Sequence, residues 1–348
     1  MGAVVAAVLT PATAHAGGWT VVAEGLDNPR GLDVAPDGSL YVAEAGRGGA
    51  GPCFPSPEGG NACFGTSGAI TRVNPHDKTA VRVLTGLPSI AAPDGSSAIG
   101  PSDVAFRPGK RGYVFTVGLG ADPALRESLP DVGRDATGRL LTSHDGSWKT
   151  IADIAGHEAA TNPDQGHVDS NPNSVYALKG SMIVVDAGGN SLLRVSPNGH
   201  VSTLAVFPSR TINGAEVQSV PTSVVRGPDG AYYVGELTGF PFPQGQARVH
   251  RVLPSGHSEV FAEGFTNIID VAFDNKGRLH VLEIAHNGLT SGNPTGALIR
   301  VEHTGLQHIV ALDGLTMPGG LTFDGNKAYI TNCGVCPSGG HVVQLHHH

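Results

Sequence analysis

The chain has 348 residues, a formal net charge of −8 and a pI near 6.0. It carries no run or stripe of Lys and Arg, which argues against a nucleic-acid partner. Its 50 glycines are about twice ordinary usage and, with 25 prolines, suit many tight turns rather than long helices, while a 40% hydrophobic fraction excludes a disordered Gly/Pro polymer.

In chain order, residues 1–16 come first. They read as an export-signal remnant: a short apolar run ends in Ala14-His15-Ala16, an A-x-A cleavage pattern without a basic n-region. The run is too short to span a bilayer, and no later segment is long enough, so a secreted, extracytoplasmic protein with no integral-membrane part is expected. His346, His347 and His348 read as an added tag and are left out of any metal argument. Four cysteines fit an oxidising compartment and allow three connectivities. Cys53–Cys63 and Cys333–Cys336 are favoured as structural clips over a redox pair or a zinc site.

From Asn28 onward the text repeats. "NPRGLDVAPDGSLYVAEAG" (from Asn28) is followed by "GPSDVAFRPGKRGYVFTVG" (Gly100) and "NPNSVYALKGSMIVVDAG" (Asn171). Then come "VPTSVVRGPDGAYYVGELTG" (Val220), "NIIDVAFDNKGRLHVLEIA" (Asn267) and "MPGGLTFDGNKAYITNCG" (Met317). Each unit pairs two apolar strands around a Gly/Asp turn of the hairpin kind. A third and fourth strand follow in most units, as in "SLLRVSPNGHVSTLAVF". Six such units at periods near 50 predict an all-β fold, a six-bladed β-propeller over residues 17–345 with four antiparallel strands per blade. The last unit ends at its third strand, "HVVQL". The N-terminal "WTVVAEG" matches the fourth-strand text "SEVFAEG", so the N-terminal strand is expected to complete the last blade.

With strands lettered A to D outward from the axis, the A–B and C–D turns share one face and are short. The B–C and D–A connections share the other face and are long, which marks it as the working face. There strand B closes on Glu44, Thr116, Asp186, Glu236, Glu283 and Asn332, and strand A starts add Arg30, Ser102, Asn171, Asn173, Thr222, Asn267 and Asp270. Two readings stay open. These groups form one polar ring at the channel mouth, binding a ligand through Arg30, Asn171, Asn173, Asn267 and Asp270, with Ca²⁺ on Glu44, Asn173, Asp186, Glu236 and Glu283. Alternatively each carboxylate caps backbone N–H groups of its own B–C loop, and Arg30 pairs with Glu44 or Asp270. His167 and Asp169 of "GHVDSNPN", and His286, are weaker candidates. Histidines 76, 144, 200, 257 and 303 fall at the opposite rim, as turn polarity. Phe240 and Phe242 of "GFPFPQG" either line an apolar pocket or pack over the blade. There is no G-x-S-x-G, H-E-x-x-H or P-loop.

The stretches "DSNPNSVYAL…VVDAGGNSLLRV", "VPTSVVRGPDGAYYVGELTGFPFPQGQARV", "EGFTNIIDVAF", "SGNPTGALIRV" and "TNCGVC" resemble the ScyD/ScyE family of exported bacterial proteins, named for its occurrence in scytonemin pigment clusters. The resemblance covers Trp19 to Leu345. It is similar in kind to the gluconolactonase/regucalcin, paraoxonase, strictosidine-synthase and NHL propellers. The lactonase-type relatives imply a channel-mouth divalent metal held by Glu, Asn and Asp, although the spacing here is that of a generic blade. The expectation is an exported, monomeric propeller that binds a small organic ligand, with metal-assisted lactone or ester hydrolysis or isomerisation as its enzymatic form. In that form Glu236, Glu283, Asp186 or His167 would move protons. The alternative is a non-catalytic extracellular scaffold or recognition module.

Overall fold

The computed structural model describes residues 18–55, 60–302 and 307–346. The expected export segment, His303 and the last two histidines lie outside them. Six blades of four antiparallel strands surround a central axis. Blade 1 has strands A to D at Pro29–Val34, Leu40–Glu44, Asn61–Asn74 and Thr79–Ala91. Blade 2 uses Pro101–Phe106, Tyr113–Val117, Arg139–His144 and Ser147–Asp153. Blade 3 uses Pro172–Ala177, Met182–Asp186, Ser191–Val195 and Val201–Val206. Blade 4 uses Pro221–Arg226, Tyr232–Glu236, Ala247–Val252 and Ser258–Phe265, and blade 5 uses Ile268–Phe273, Leu279–Glu283, Ala297–Val301 and Gln307–Ala311.

Blade 6 is built from both ends of the chain. Its strands A to C are Gly320–Asp324, Lys327–Asn332 and Gly340–His346, and its outer strand is Trp19–Leu26. The register sets Trp19 opposite Leu345 and Val21 opposite Val343. Strand C runs one residue past the expected Leu345: the backbone of His346, read from the sequence as tag, pairs with Lys327. Both favoured disulfides are present, Cys53–Cys63 and Cys333–Cys336. The first joins the short strand Cys53–Pro55 to strand C of blade 1.

The core is divided among the blade interfaces. Leu32, Leu40, Val42 and Val73 of blade 1 pack on Val22, Tyr329 and Val342 of blade 6. Ala43, Ile70, Leu84 and Leu87 pack on Val104, Phe115 and Leu141 of blade 2. Each remaining neighbour pair of blades has a cluster of its own. Both faces of a blade are therefore buried, and the inner strands read as near-continuous apolar runs. Alternation along strand B sends Leu40 and Val42 to one neighbour and Ala43 to the other. No strand B side chain faces the axis, because strand A stands between. Among the described residues the long connections carry three short helices: a 3₁₀ turn Pro123–Ser128, α1 (Asp131–Ala136) and α2 (Ile154–Thr161). None of the described helices is long and apolar enough to cross a membrane.

The closing strand is held by burial. Trp19 is 4% exposed, packs in the blade 5–6 cluster with Leu298, Leu315 and Leu345, and donates its indole N–H to Asp313 O at 2.8 Å. Trp19→Ala should cost about 3–5 kcal/mol, read as a lower urea midpoint with an unchanged slope.

Candidate functional site

The carboxylates that close strand B do not form a mouth ring. Glu44 is buried, accepts the Asp27 amide at 2.7 Å, and pairs with Arg82 at 2.7 Å. The Thr71 hydroxyl also donates to it. Asp186 accepts the Asn171 amide at 2.6 Å and the Ser170 hydroxyl at 2.7 Å. Glu236 takes the Ser219 hydroxyl at 2.8 Å, Arg210 at 2.5 Å and the His250 ring at 3.0 Å. Glu283 accepts the Thr266 amide at 2.6 Å and is held by His286. In blade 6 the amide oxygen of Asn332 accepts the Thr316 amide at 2.7 Å. In five blades, then, the residue closing strand B ties down the junction that leads into its own strand A. The groups held are those of the junction before strand A rather than amides of the B–C loop, although Asp186 also accepts the Gly189 amide of that loop at 3.3 Å, and the cation facing Glu44 is Arg82 rather than Arg30.

The strand A starts likewise stitch blades together. Ser102 donates to Asn173 Oδ1 at 3.1 Å, Asn173 to Thr222 O at 2.6 Å, and Thr222 to Ile268 O at 2.8 Å. Arg30 donates to Ala98 O at 2.8 Å. Asn28 and Asn267 both take φ near +50°. Asn267 donates to Leu237 O and accepts from Leu289 N, while Asn28 donates to Gly46 O and Gly95 O. The repeated "AEG…N" phrase thus writes a junction. Among the described residues, no group of three or more His, Cys, Asp or Glu is placed to hold a metal ion. With Glu44 and Glu236 neutralised by arginines and Asn173 committed to Ser102 and Thr222, the expected Ca²⁺ donor set does not fit, and no step is derived through it.

What converges on the axis is a set of strand A aspartates. Asp33, Asp103 and Asp270 line a cavity of ≈ 310 Å³ together with Ser174, Tyr176 and Phe273. Asp270, expected at a strand start, is the third residue of its strand. Each aspartate is held by the next blade: Asp33 accepts Phe106 N at 2.9 Å, Asp103 accepts Val175 N at 2.9 Å and Ser174 Oγ at 2.8 Å, and Asp270 accepts Leu321 N at 2.7 Å. Around them stand backbone amides, the Ser174 hydroxyl and the rings of Tyr176 and Phe273. Burial raises Asp33 to about 6 and Asp103 to about 7, Asp103 also feeling Asp33. Burial and then the charge of Asp103 raise Asp270 well above the usual carboxylate range. The set therefore holds carboxyl groups able to give and take a proton near neutrality.

This cavity reaches Pro108 in the A–B turn of blade 2, so it extends toward the short-turn face and away from the long loops expected to work. Asp186, Glu236, Glu283, His167, Arg30, Asn171, Asn173 and Asn267 do not line it. His167 is exposed beside Asp169. Phe240 is 76% exposed and meets Phe242 edge-on in its loop. Asp33 and Asp103 were missed in the sequence. Their signal was the recurring Asp-Val pair of "LDV", "SDV" and "IDV" in three strands A, where the aspartate is the fifth residue of the strand in blade 1 and the third in blades 2 and 5.

No protein-family model matches the chain, and no curated protein matches it in sequence. Solved structures do resemble it. One described as a glucose dehydrogenase superposes at TM-score 0.57 with 14% identity, covering 95% of this chain and 99% of its own. A calcium-binding protein, regucalcin, from Agrobacterium tumefaciens gives 0.54 with 14% identity, covering 94% and 93%. A protein of unknown function from Bacteroides thetaiotaomicron gives 0.59 with 10% identity, covering 94% and 74%. At these identities the likeness shows the propeller fold alone.

Two outcomes follow from the geometry. Glu236→Ala strands Arg210 and His250 and should cost about 3–5 kcal/mol in urea unfolding. The axial set makes stability pH-dependent. For a carboxyl whose folded pKa is raised, ionisation is harder in the folded state, so stability is lost as pH rises from its unfolded value toward its folded one. For Asp103 that window runs from 3.8 to about 7. Melting points should fall between pH 4 and pH 7, and Asp103→Asn should flatten the profile.

Proposed function

We propose that this is an exported propeller of the ScyD/ScyE type that binds a small organic molecule in its axial cavity and acts on it by acid–base chemistry. The observation that supports this is the axial trio Asp33, Asp103 and Asp270, all raised by burial above the usual carboxylate range inside a cavity of ≈ 310 Å³. That volume is at the lower end of small-ligand sites, about 300–1,000 Å³. A mostly polar lining with the aromatic rings of Tyr176 and Phe273 beside it suits a compact ring or ester bearing several oxygens. A carboxyl that keeps its proton near pH 7 donates to a carbonyl or leaving oxygen, and its ionised neighbour takes a proton from water or from carbon. That is the pattern of lactone or ester hydrolysis and of isomerisation. Export agrees with the two disulfides.

The second reading, a scaffold or recognition module, also has an observation in its favour. Each axial aspartate accepts a backbone amide of the next blade, so the trio doubles as a set of inter-blade ties. A panel of small lactones and esters, followed by proton release and by thermal shift, separates the two. The ligand reading expects at least one compound to raise the melting point or turn over. Asp103→Asn and Asp270→Asn should weaken that response at least tenfold while circular dichroism stays native. Wild-type protein that responds to no compound, with both variants merely less stable, would assign the trio to structure.

A further inference from the structure

Blade 3 breaks the pattern that blades 1, 4 and 5 share. At the end of strand B, Glu44 faces Arg82, Glu236 faces Arg210 and His250, and Glu283 faces His286. Asp186, fully buried at the same place, faces another carboxylate. Glu158 projects from α2, is 1% exposed, and its Oε1 has no hydrogen-bond partner. The charges acting on it are those of Asp186, Asp164 and Asp169. The donors to Asp186 are neutral: the Ser170 hydroxyl and the amides of Asn171 and Gly189. Asp164 is held by Gly166 N and Asn190 Nδ2, each at 2.8 Å. The exposed His167 is a group that could carry positive charge near Asp169.

The backbone leaves room for this crowd. In the B–C turn of blade 3, a Cβ on Gly188 would stand 1.9 Å from Asp169 Oδ1. One on Gly189 would stand 2.6 Å from Glu158 Oε2 and 3.3 Å from Asp186 Oδ2. Neither glycine has a positive φ, so close approach and not backbone freedom requires them, by Glu158 at Gly189 and by Asp169 together with the backbone at Ser170 and Asn171 at Gly188. Two more side-chain oxygens of the same connection, Asn162 Oδ1 and Asn171 Oδ1, also lack partners.

Adjacent buried carboxylates repel unless a proton or a cation stands between them. We propose that Glu158 and Asp186 bind a hydrated divalent cation of the Ca²⁺/Mg²⁺ class, off the axis, at the foot of α2. Hard cations take carboxylate, amide and water oxygens, and a site with only two carboxylates keeps several waters. Asp164 and Asp169 add negative potential around it. The cation clamps the 154–171 connection to the Gly188–Gly189 turn, the task that Arg82 and Arg210 perform in blades 1 and 4.

The test is calorimetric titration of chelator-treated protein with CaCl₂ and, separately, MgCl₂, with melting curves before and after. About one ion should bind and raise the melting point. Glu158→Gln should weaken binding at least tenfold. It should also melt higher than wild type without cation, since it removes repulsion, and lower than wild type with it. That reversal is not expected of a merely structural glutamate. Asp169→Asn should weaken binding less, and Asp270→Asn, in the axial cavity, should leave the titration unchanged. No heat up to millimolar cation, or a wild-type melting point indifferent to both ions, would mean that Glu158 and Asp186 share a proton, and would overturn the proposal. Binding lost in Asp270→Asn but kept in Glu158→Gln would place the ion on the axis and overturn it equally, whatever becomes of the axial ligand reading.

Discussion

Closure of the ring is the constraint on which everything else rests. A blade buries both of its faces, so it is complete only between two neighbours, and the first and last blades need each other. The molecule meets this by laying Trp19–Leu26 against Gly340–His346. That pairing makes blade 6 four-stranded, places Trp19 in the blade 5–6 cluster and Val22 in the blade 6–1 cluster, and fixes the radius at which six strands A face one another. The trio of Asp33, Asp103 and Asp270 exists only in the closed ring, since each aspartate takes its hydrogen bond from the next blade.

A second economy governs the polar groups. Strand B ends beside the junction into strand A, where the chain turns and exposes backbone amides. A carboxylate or amide at that point accepts them, and a buried carboxylate then needs a counter-charge or a proton. Arg82, Arg210 and His286 answer that need in three blades. Blade 3 answers it with Glu158 instead, and so concentrates negative charge where its sisters disperse it. Repetition makes such an exception readable: the same position can be compared with its equivalents inside one molecule.

Much of the fold was legible before any coordinates. The turn signals and two-residue alternation gave six units, and the shared text of "WTVVAEG" and "SEVFAEG" gave the closing strand. The spacing of the cysteines suggested the two pairings observed. The candidate site was less legible. Glu44, Asp186, Glu236 and Glu283 stood out because they recur, yet recurrence marked a junction and not a centre of chemistry. Asp33 and Asp103 were passed over inside apolar strands, although Asp270 was picked out. Glu158 lies in a stretch read as loop, too short for a helical period to show.

The sequence alone determined the number of blades, their order and the way the ring closes, because these depend on local periodicity and on matches between segments. Only the tertiary structure decided what each polar side chain meets. Alternation states that a residue points to one face of its strand, but not what stands opposite. Strand B is screened from the axis by strand A, so its carboxylates turn into the blades. Asp33, Asp103 and Asp270, far apart in the chain, meet because the ring brings successive strands A to a common axis. The contact of Glu158 with Asp186 depends on a helix in one connection folding over the turn of another strand pair, a distance in space that no spacing along the chain encodes.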